Sequence, residues 1–216
     1  MLKALRITAI SAALAGTSLT AQAQFHVGAA AAFHKYSNIG LFPAAQLRVG
    51  YEFSEGKYGI TGGFNYSPVS KNNTFAVTYL NPLTFETADV DFTEKVKINN
   101  YFFHANYNFG NRENNFQFGL LAGISVDLIT VKYDQGDVPT GFEDEYGDIY
   151  EDATFGGPKI DLGVSGNYRV GNGKVFGELV LGLPANQVNG NAIEVSTVAH
   201  YGLQLGDQFY FGQQDY

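Results

Sequence analysis

Asn115-Phe-Gln-Phe-Gly-Leu-Leu-Ala-Gly-Ile-Ser-Val-Asp-Leu-Ile129 is the stretch that decides the fold. Phe116, Phe118, Leu120, Ala122, Ile124, Val126 and Leu128 fall on one parity; Gln117, Gly119, Leu121, Gly123, Ser125 and Asp127 fall on the other. A period of two belongs to an extended strand whose alternate side chains face opposite sides of a sheet. The pattern recurs along the chain. Gln24 to His34 sets Phe25, Val27, Ala29, Ala31 and Phe33 against His26, Gly28, Ala30, Ala32 and His34. Ala45 to Phe53 sets Leu47, Val49, Tyr51 and Phe53 against Gln46, Arg48, Gly50 and Glu52. Five more strands are predicted over Tyr58 to Tyr66, Lys97 to Phe109, Lys159 to Tyr168, Lys174 to Leu183 and Ile193 to Leu205, which makes eight.

The connections alternate in length. Ser54 to Lys57, Gly110 to Asn114 and Arg169 to Gly173 are short turns, whereas the other connections are longer, two of them by more than about 20 residues. The short turns then share one end, the asymmetry of bacterial outer-membrane barrels, and both termini would be periplasmic. The expectation is an all-β, eight-stranded antiparallel up-and-down transmembrane β-barrel. The competing architecture is a water-soluble barrel of lipocalin type, a binder of small apolar ligands, with its apolar parity turned inward. Its outer face would need many charges. Here the polar parity is mostly Gly, Asn, Ser, Thr and Gln, and aromatic residues recur near strand ends, as in Phe25 and Phe33, Tyr58 and Tyr66, Tyr101 and Phe109. That spacing fits girdles at two lipid–water interfaces.

Upstream of the first strand, Lys3 and Arg6 precede an apolar run from Ile7 to Leu19 that closes with Ala21, Gln22 and Ala23. This reads as a secretory signal with an Ala-x-Ala cleavage site, so residues 1–23 are expected to be removed and residues 24–216 to form one barrel domain. The rest of the chain holds no run of 18 apolar residues, so any membrane crossing would be by strands. The chain has no Cys, which excludes disulfides, thiol catalysis and thiolate metal sites. Loss of Lys3 and Arg6 takes the net charge from -8 to -10, which argues against nucleic acid or anionic-lipid surfaces as partners.

Lys159-Ile-Asp-Leu-Gly-Val-Ser-Gly-Asn-Tyr168, followed by Gly171-Asn-Gly-Lys-Val-Phe-Gly-Glu-Leu-Val-Leu-Gly-Leu183, resembles the last hairpin of the outer membrane protein beta-barrel domain family that includes PorT-like proteins. Tyr101-Phe-Phe-His-Ala-Asn-Tyr-Asn-Phe-Gly110, with Phe116-Gln-Phe-Gly-Leu-Leu-Ala-Gly123 after the turn, resembles its central hairpin. These are strand-and-turn patterns, which specify a fold well and a function poorly. Two features depart from that family: the fourth strand lacks a midway Pro, and Gly206 to Tyr216 runs past the expected aromatic end. The resemblance implies an integral outer-membrane protein, either an accessory to secretion or a surface barrel.

On the inward parity lie Arg48, Glu52, Asp127, Lys159, Asp161 and Glu178, with His104 and His200. An eight-stranded interior is just wide enough to be filled by side chains, so these are expected to pair across the lumen and plug it. The alternative is a narrow proton or ion path. Chemistry has one local candidate: His34, Ser37 and Asn38 resemble the His-x-Ser-Asn signature of barrel lipid A deacylases, with the spacing one residue too long. No catalytic residue, cofactor or metal site is assigned. One long connection holds Asp134, Asp137, Glu143, Asp144, Glu145, Asp148, Glu151 and Asp152, without the ligand spacing of a calcium loop, and reads as a solvated acidic outer loop. Another, Ser67 to Val96, contains Thr74 to Tyr79 and Phe85 to Phe92, expected to be strands extended above the membrane. The expected partners are outer-membrane lipid and lipopolysaccharide, and another envelope protein through the outer loops; a lipid A-modifying enzyme is the competing function.

Overall fold

The computed structural model describes residues 24–37, 39–53, 56–109, 115–142, 150–185 and 199–211. Nine strands follow in order: β1 (Gln24–Tyr36), β2 (Gly40–Phe53), β3 (Tyr58–Tyr66), β4 (Lys71–Leu80), β5 (Thr87–Phe109), β6 (Phe116–Gln135), β7 (Ala153–Val170), β8 (Gly173–Pro184) and β9 (His200–Phe211). All neighbours pair antiparallel. β1 pairs with β2 on one edge and β9 on the other, and β3 pairs with β5 from Tyr58↔Tyr107 to Asn65↔Asn100. Eight strands therefore close into a ring, β1-β2-β3-β5-β6-β7-β8-β9, whose two ends meet at Phe25↔Phe211 and Tyr36↔His200. The ninth, β4, lies outside the ring and pairs with the upper part of β5, Lys71↔Val96 to Leu80↔Thr87. Closure leaves the ring itself without an unpaired edge.

The alternation sets the two surfaces. Phe118, Leu120 and Leu162 are exposed, at 63%, 50% and 48%, while Gln117, Asp161 and Ser165 of the other parity are buried. The apolar parity thus faces outward all round the ring and the polar parity faces in. Between β7 and β8 the chain reverses at Gly171 and Asn172; Gly171 adopts φ +55°, a left-handed geometry that a side chain resists.

All eight ring strands stand where the alternation predicts them, but several bounds differ. β2 begins at Gly40, β5 at Thr87 and β7 at Ala153, and β6 runs on to Gln135, each beyond its expected limit. The last strand is His200–Phe211; the part of its expected range from 193 to 198 lies outside the described residues. Gly206 to Phe211 is consequently strand, ending on Phe209, Tyr210 and Phe211, so the aromatic terminus lies further along than the sequence reading put it. Leu205 is outward, so parity carries Phe209 and Phe211 outward with it. Phe85 is not in a strand: at φ +58° it sits in the turn before β5, where Phe85 N donates to Asn81 O at 2.9 Å. The expected signal peptide, the turn residues 54–55 and 110–114, and 212–216 lie outside the described residues. Among the described residues no helix is long and apolar enough to cross a membrane.

Candidate functional site

The short-turn end of the lumen holds the first charge pair. Lys174 donates to both carboxylate oxygens of Glu52, at 2.8 and 2.9 Å, and the Tyr210 hydroxyl donates to Glu52 Oε1 at 2.7 Å. One layer up, Arg48 Nη2 donates to Glu178 Oε1 and Oε2 at 3.0 and 2.9 Å. The guanidinium lies 4.1 Å from the Phe176 ring centroid and 5.8 Å from that of Phe102. Gly63 makes room for this stack, since a Cβ there would sit 2.5 Å from Phe102 Cζ.

Above these pairs a hydrogen-bonded belt runs round the lumen. Gln46 Nε2 donates to Gln204 Oε1 at 2.8 Å and to Asn65 Oδ1 at 3.0 Å. Asn65 Nδ2 donates to Asn100 Oδ1 at 2.9 Å, and Asn100 Nδ2 to Asp127 Oδ1 at 2.8 Å. Asp127 is ion-paired with Lys159, whose Nζ lies 3.2 Å from His200 Nδ1. The belt starts and ends on β9, at Gln204 and His200, having crossed β2, β3, β5, β6 and β7. The Tyr36 hydroxyl donates to Asp127 at 3.2 Å, and His104 meets Asp161 at 3.0 Å. Buried charges are tolerated only when paired and hydrogen-bonded, and here each acid has a base within reach.

The long-loop end of the interior is not polar. Tyr36, Phe42, Val96, Ile98, Ile129 and Val131 form a buried apolar cluster, with Ile39, Tyr133 and Phe155 packed against it. This apolar cluster caps the polar belt at the long-loop end of the described interior.

No family model matches the chain, and no curated protein matches it. Among solved structures the chain is similar to a major outer membrane protein from Thermus thermophilus. Identity is 15%, 88% of this chain and 99% of that chain are covered, and the TM-score is 0.57. The N-terminal beta-barrel domain of Pseudomonas aeruginosa OprF gives 14% identity, coverage of 88% and 100%, and TM-score 0.46. Ail, the attachment invasion locus protein of Yersinia pestis, gives 12% identity, coverage of 88% and 98%, and TM-score 0.45. The Thermus likeness is one of fold.

Arg48, Glu52, His104, Asp127, Lys159, Asp161, Glu178 and His200 are all buried in the lumen. They fall into separate groups: Arg48 with Glu178, Glu52 with Lys174, His104 with Asp161, and Asp127 with Lys159 and His200. Sequence reasoning missed Lys174, Tyr36, Tyr210 and the belt amides. Parity was enough to find Lys174, which shares the inward face of β8 with Phe176 and Glu178. His34 and Ser37 do not form a site. His34 is buried, its ring 5.1 Å from that of His200, while Ser37 Oγ donates to Ala199 O at 3.2 Å; Asn38 lies outside the described residues.

The acidic outer connection is partly strand. Asp134 belongs to β6 and is ion-paired with Lys95 of β5, and Asp152 lies 3.9 Å from Lys132. The neighbouring strand supplies cations that linear sequence hides. Asp137 and Glu151 are exposed, and Glu143, Asp144, Glu145 and Asp148 lie outside the described residues. No metal-holding group occurs among the described residues. Higher on β6, the Tyr133 hydroxyl donates to Glu94 Oε1 at 3.2 Å; burial and then the Glu94 charge raise it above the ordinary tyrosine value.

Proposed function

We propose that this chain is a non-catalytic integral outer-membrane barrel with a sealed lumen, acting through the part that stands above the membrane. One observation carries the reading: along β5 and β6 both faces invert their polarity at the same level. Below it, outward Tyr101 and Val126 are apolar while inward Asn100 and Asp127 are polar. Above it, inward Ile98 and Ile129 are apolar while outward Lys97, Thr130, Lys132 and Asp134 are polar. A strand passing from hydrocarbon into water needs the outward inversion because the medium outside changes, and the inward one gives the part above the membrane an apolar core of its own. A soluble barrel keeps one pattern along its whole length.

Residues 1–23 would direct export and be cleaved, leaving Gln24 at the start of β1. Outward Lys35, Lys97 and Lys132 stand at or above the inversion, a level suited to lipopolysaccharide phosphates. The hairpin resemblance supports a PorT-like accessory role in secretion as the finer form, in which the upper sheet of β4 to β7 meets another envelope protein. The test is fractionation with intact mass and conductance: the mature chain is expected in the outer membrane, beginning at Gln24, with no steady current in planar bilayers. Recovery in the soluble periplasm would overturn the reading.

A further inference from the structure

Asp207 stands on the wrong face. Along β9 the outward positions are Tyr201, Leu203, Leu205, Asp207, Phe209 and Phe211, every one exposed. Asp207 lies four residues above the lower end of the strand, roughly 10 Å at the rise and tilt usual for such barrels. Leu205 flanks it above and Phe209 below, so it falls inside the apolar band. Between the aromatic ends of the eight ring strands it is the one outward acidic or basic side chain among the described residues. Its carboxyl group has no hydrogen-bond or ion-pair partner among the described residues. An ionisable group facing hydrocarbon marks a function by default, because it needs a partner that lipid tails cannot supply.

The surface around it is low. Ala29 faces Asp207 directly on β1 and Val175 on β8, with Ala31 and Gly177 as diagonal neighbours. On the β1 side an open hollow of about 720 Å³ runs past Val27, Ala29, Leu47, Val49 and Phe64, with Asp207 and Phe209 at its rim. Small residues allow two walls to approach closely within a membrane.

We propose that this face is a two-fold interface between two copies of the barrel in the membrane, with the two Asp207 carboxyls hydrogen-bonded to each other. A two-fold axis parallel to the barrel axis preserves depth, so Asp207 of one copy meets its counterpart at the same level. Two carboxyls held together in a low-dielectric site cannot both ionise, so the pair keeps a proton that one carboxyl donates to the other, which makes it self-complementary. Among the described residues no other outward hydrogen-bonding side chain lies at that depth beside it on β8 or β1.

The inference rests on the membrane reading, and the experiment separates the two. Donor- and acceptor-labelled copies are folded into phosphatidylcholine vesicles at low protein density, flotation and protease protection establish insertion, and energy transfer is then read. Wild type is expected to transfer well above the level of random proximity. Asp207→Asn keeps a self-complementary amide and retains transfer; Asp207→Leu drops to the random level. Asp207→Lys does not pair with itself and recovers transfer when mixed with wild type. Ala29→Trp fills the low shoulder beside the carboxyl and abolishes pairing, whereas Leu162→Trp leaves it intact. Failure of wild type to insert overturns the membrane reading and the interface with it. Insertion with random transfer, or Asp207→Leu pairing as wild type does, overturns the interface alone, with bulk lipid or a different protein covering Asp207.

Discussion

Replacing Arg48 by Met tests whether the lumen is dry. The Arg48–Glu178 contact is 2.9 Å long between side chains that are 0% and 3% exposed. At an effective dielectric constant of about 20 the attraction at that distance is roughly 6 kcal/mol. Desolvating each ion removes several kcal/mol, so the pair as a whole contributes little beyond packing. Arg48 Nε and Nη1 have no hydrogen-bond partner among the described residues and lie against Phe176 and Phe102, which supply only cation–π compensation. Removing one member leaves the other charge stranded, a loss of about 3–5 kcal/mol. Arg48→Met is therefore expected to lose that much in urea unfolding of the bilayer-folded protein, and Glu178→Gln a comparable amount. The double change Arg48→Met with Glu178→Leu is expected to return to within about 1 kcal/mol of wild type, or to exceed it. If either single variant lost less than about 1 kcal/mol, the pair would be behaving like a solvated one and the lumen would be wet.

On the outward face, Leu120→Arg should destabilise the vesicle-folded barrel by about 2–4 kcal/mol and Phe116→Arg, near the lower interface, by about 1 kcal/mol or less; equal small effects at both would deny the depth dependence that lipid imposes. In the plug, Phe42 meets Tyr36 edge-on at 5.8 Å, and Phe42→Ala should cost about 3–5 kcal/mol by chemical denaturation. Above the membrane, absorbance titration should show Tyr133 ionising at higher pH than a free tyrosine, with Glu94→Gln bringing it part of the way back. Because folding favours the neutral hydroxyl, that contribution is present below the ordinary tyrosine range and is lost as pH rises through the raised value. Unshifted titration of Tyr133 would remove the Glu94 contact.

How far the fold was legible follows from what alternation encodes. Ring order, inward parity and the outward exposure of Phe118, Leu120 and Leu162 all follow from period two and short turns. Pairing partners do not. That Arg48 meets Glu178 across 130 residues, or that Gln204 reaches Gln46, depends on how strand stagger brings inward side chains to one level, which no local pattern states. Lys95 beside Asp134 was hidden for the same reason: β5–β6 register joins residues from two separate connections.

The misplaced upper ends of β5, β6 and β7 share a physical cause. Reading apolar as outward ends the strands at Lys97, Ile129 and Lys159, while β5, β6 and β7 continue to Thr87, Gln135 and Ala153. Lys159, opposite Ser125, lies below the level where the outer medium changes from hydrocarbon to water, and Lys97 and Ile129 lie at that level. There the parity persists and its meaning reverses: Ile98, Ile129 and Phe155 turn inward and Lys97, Thr130 and Thr154 turn outward. A strand crossing that boundary keeps its hydrogen-bond ladder, because backbone pairing does not depend on what lies beyond the side chains. Its side-chain pattern slips by half a period without any bulge. A rule tied to one polarity therefore stops at the interface on β5 and β6, at Lys97 and Ile129, and short of it on β7, at Lys159.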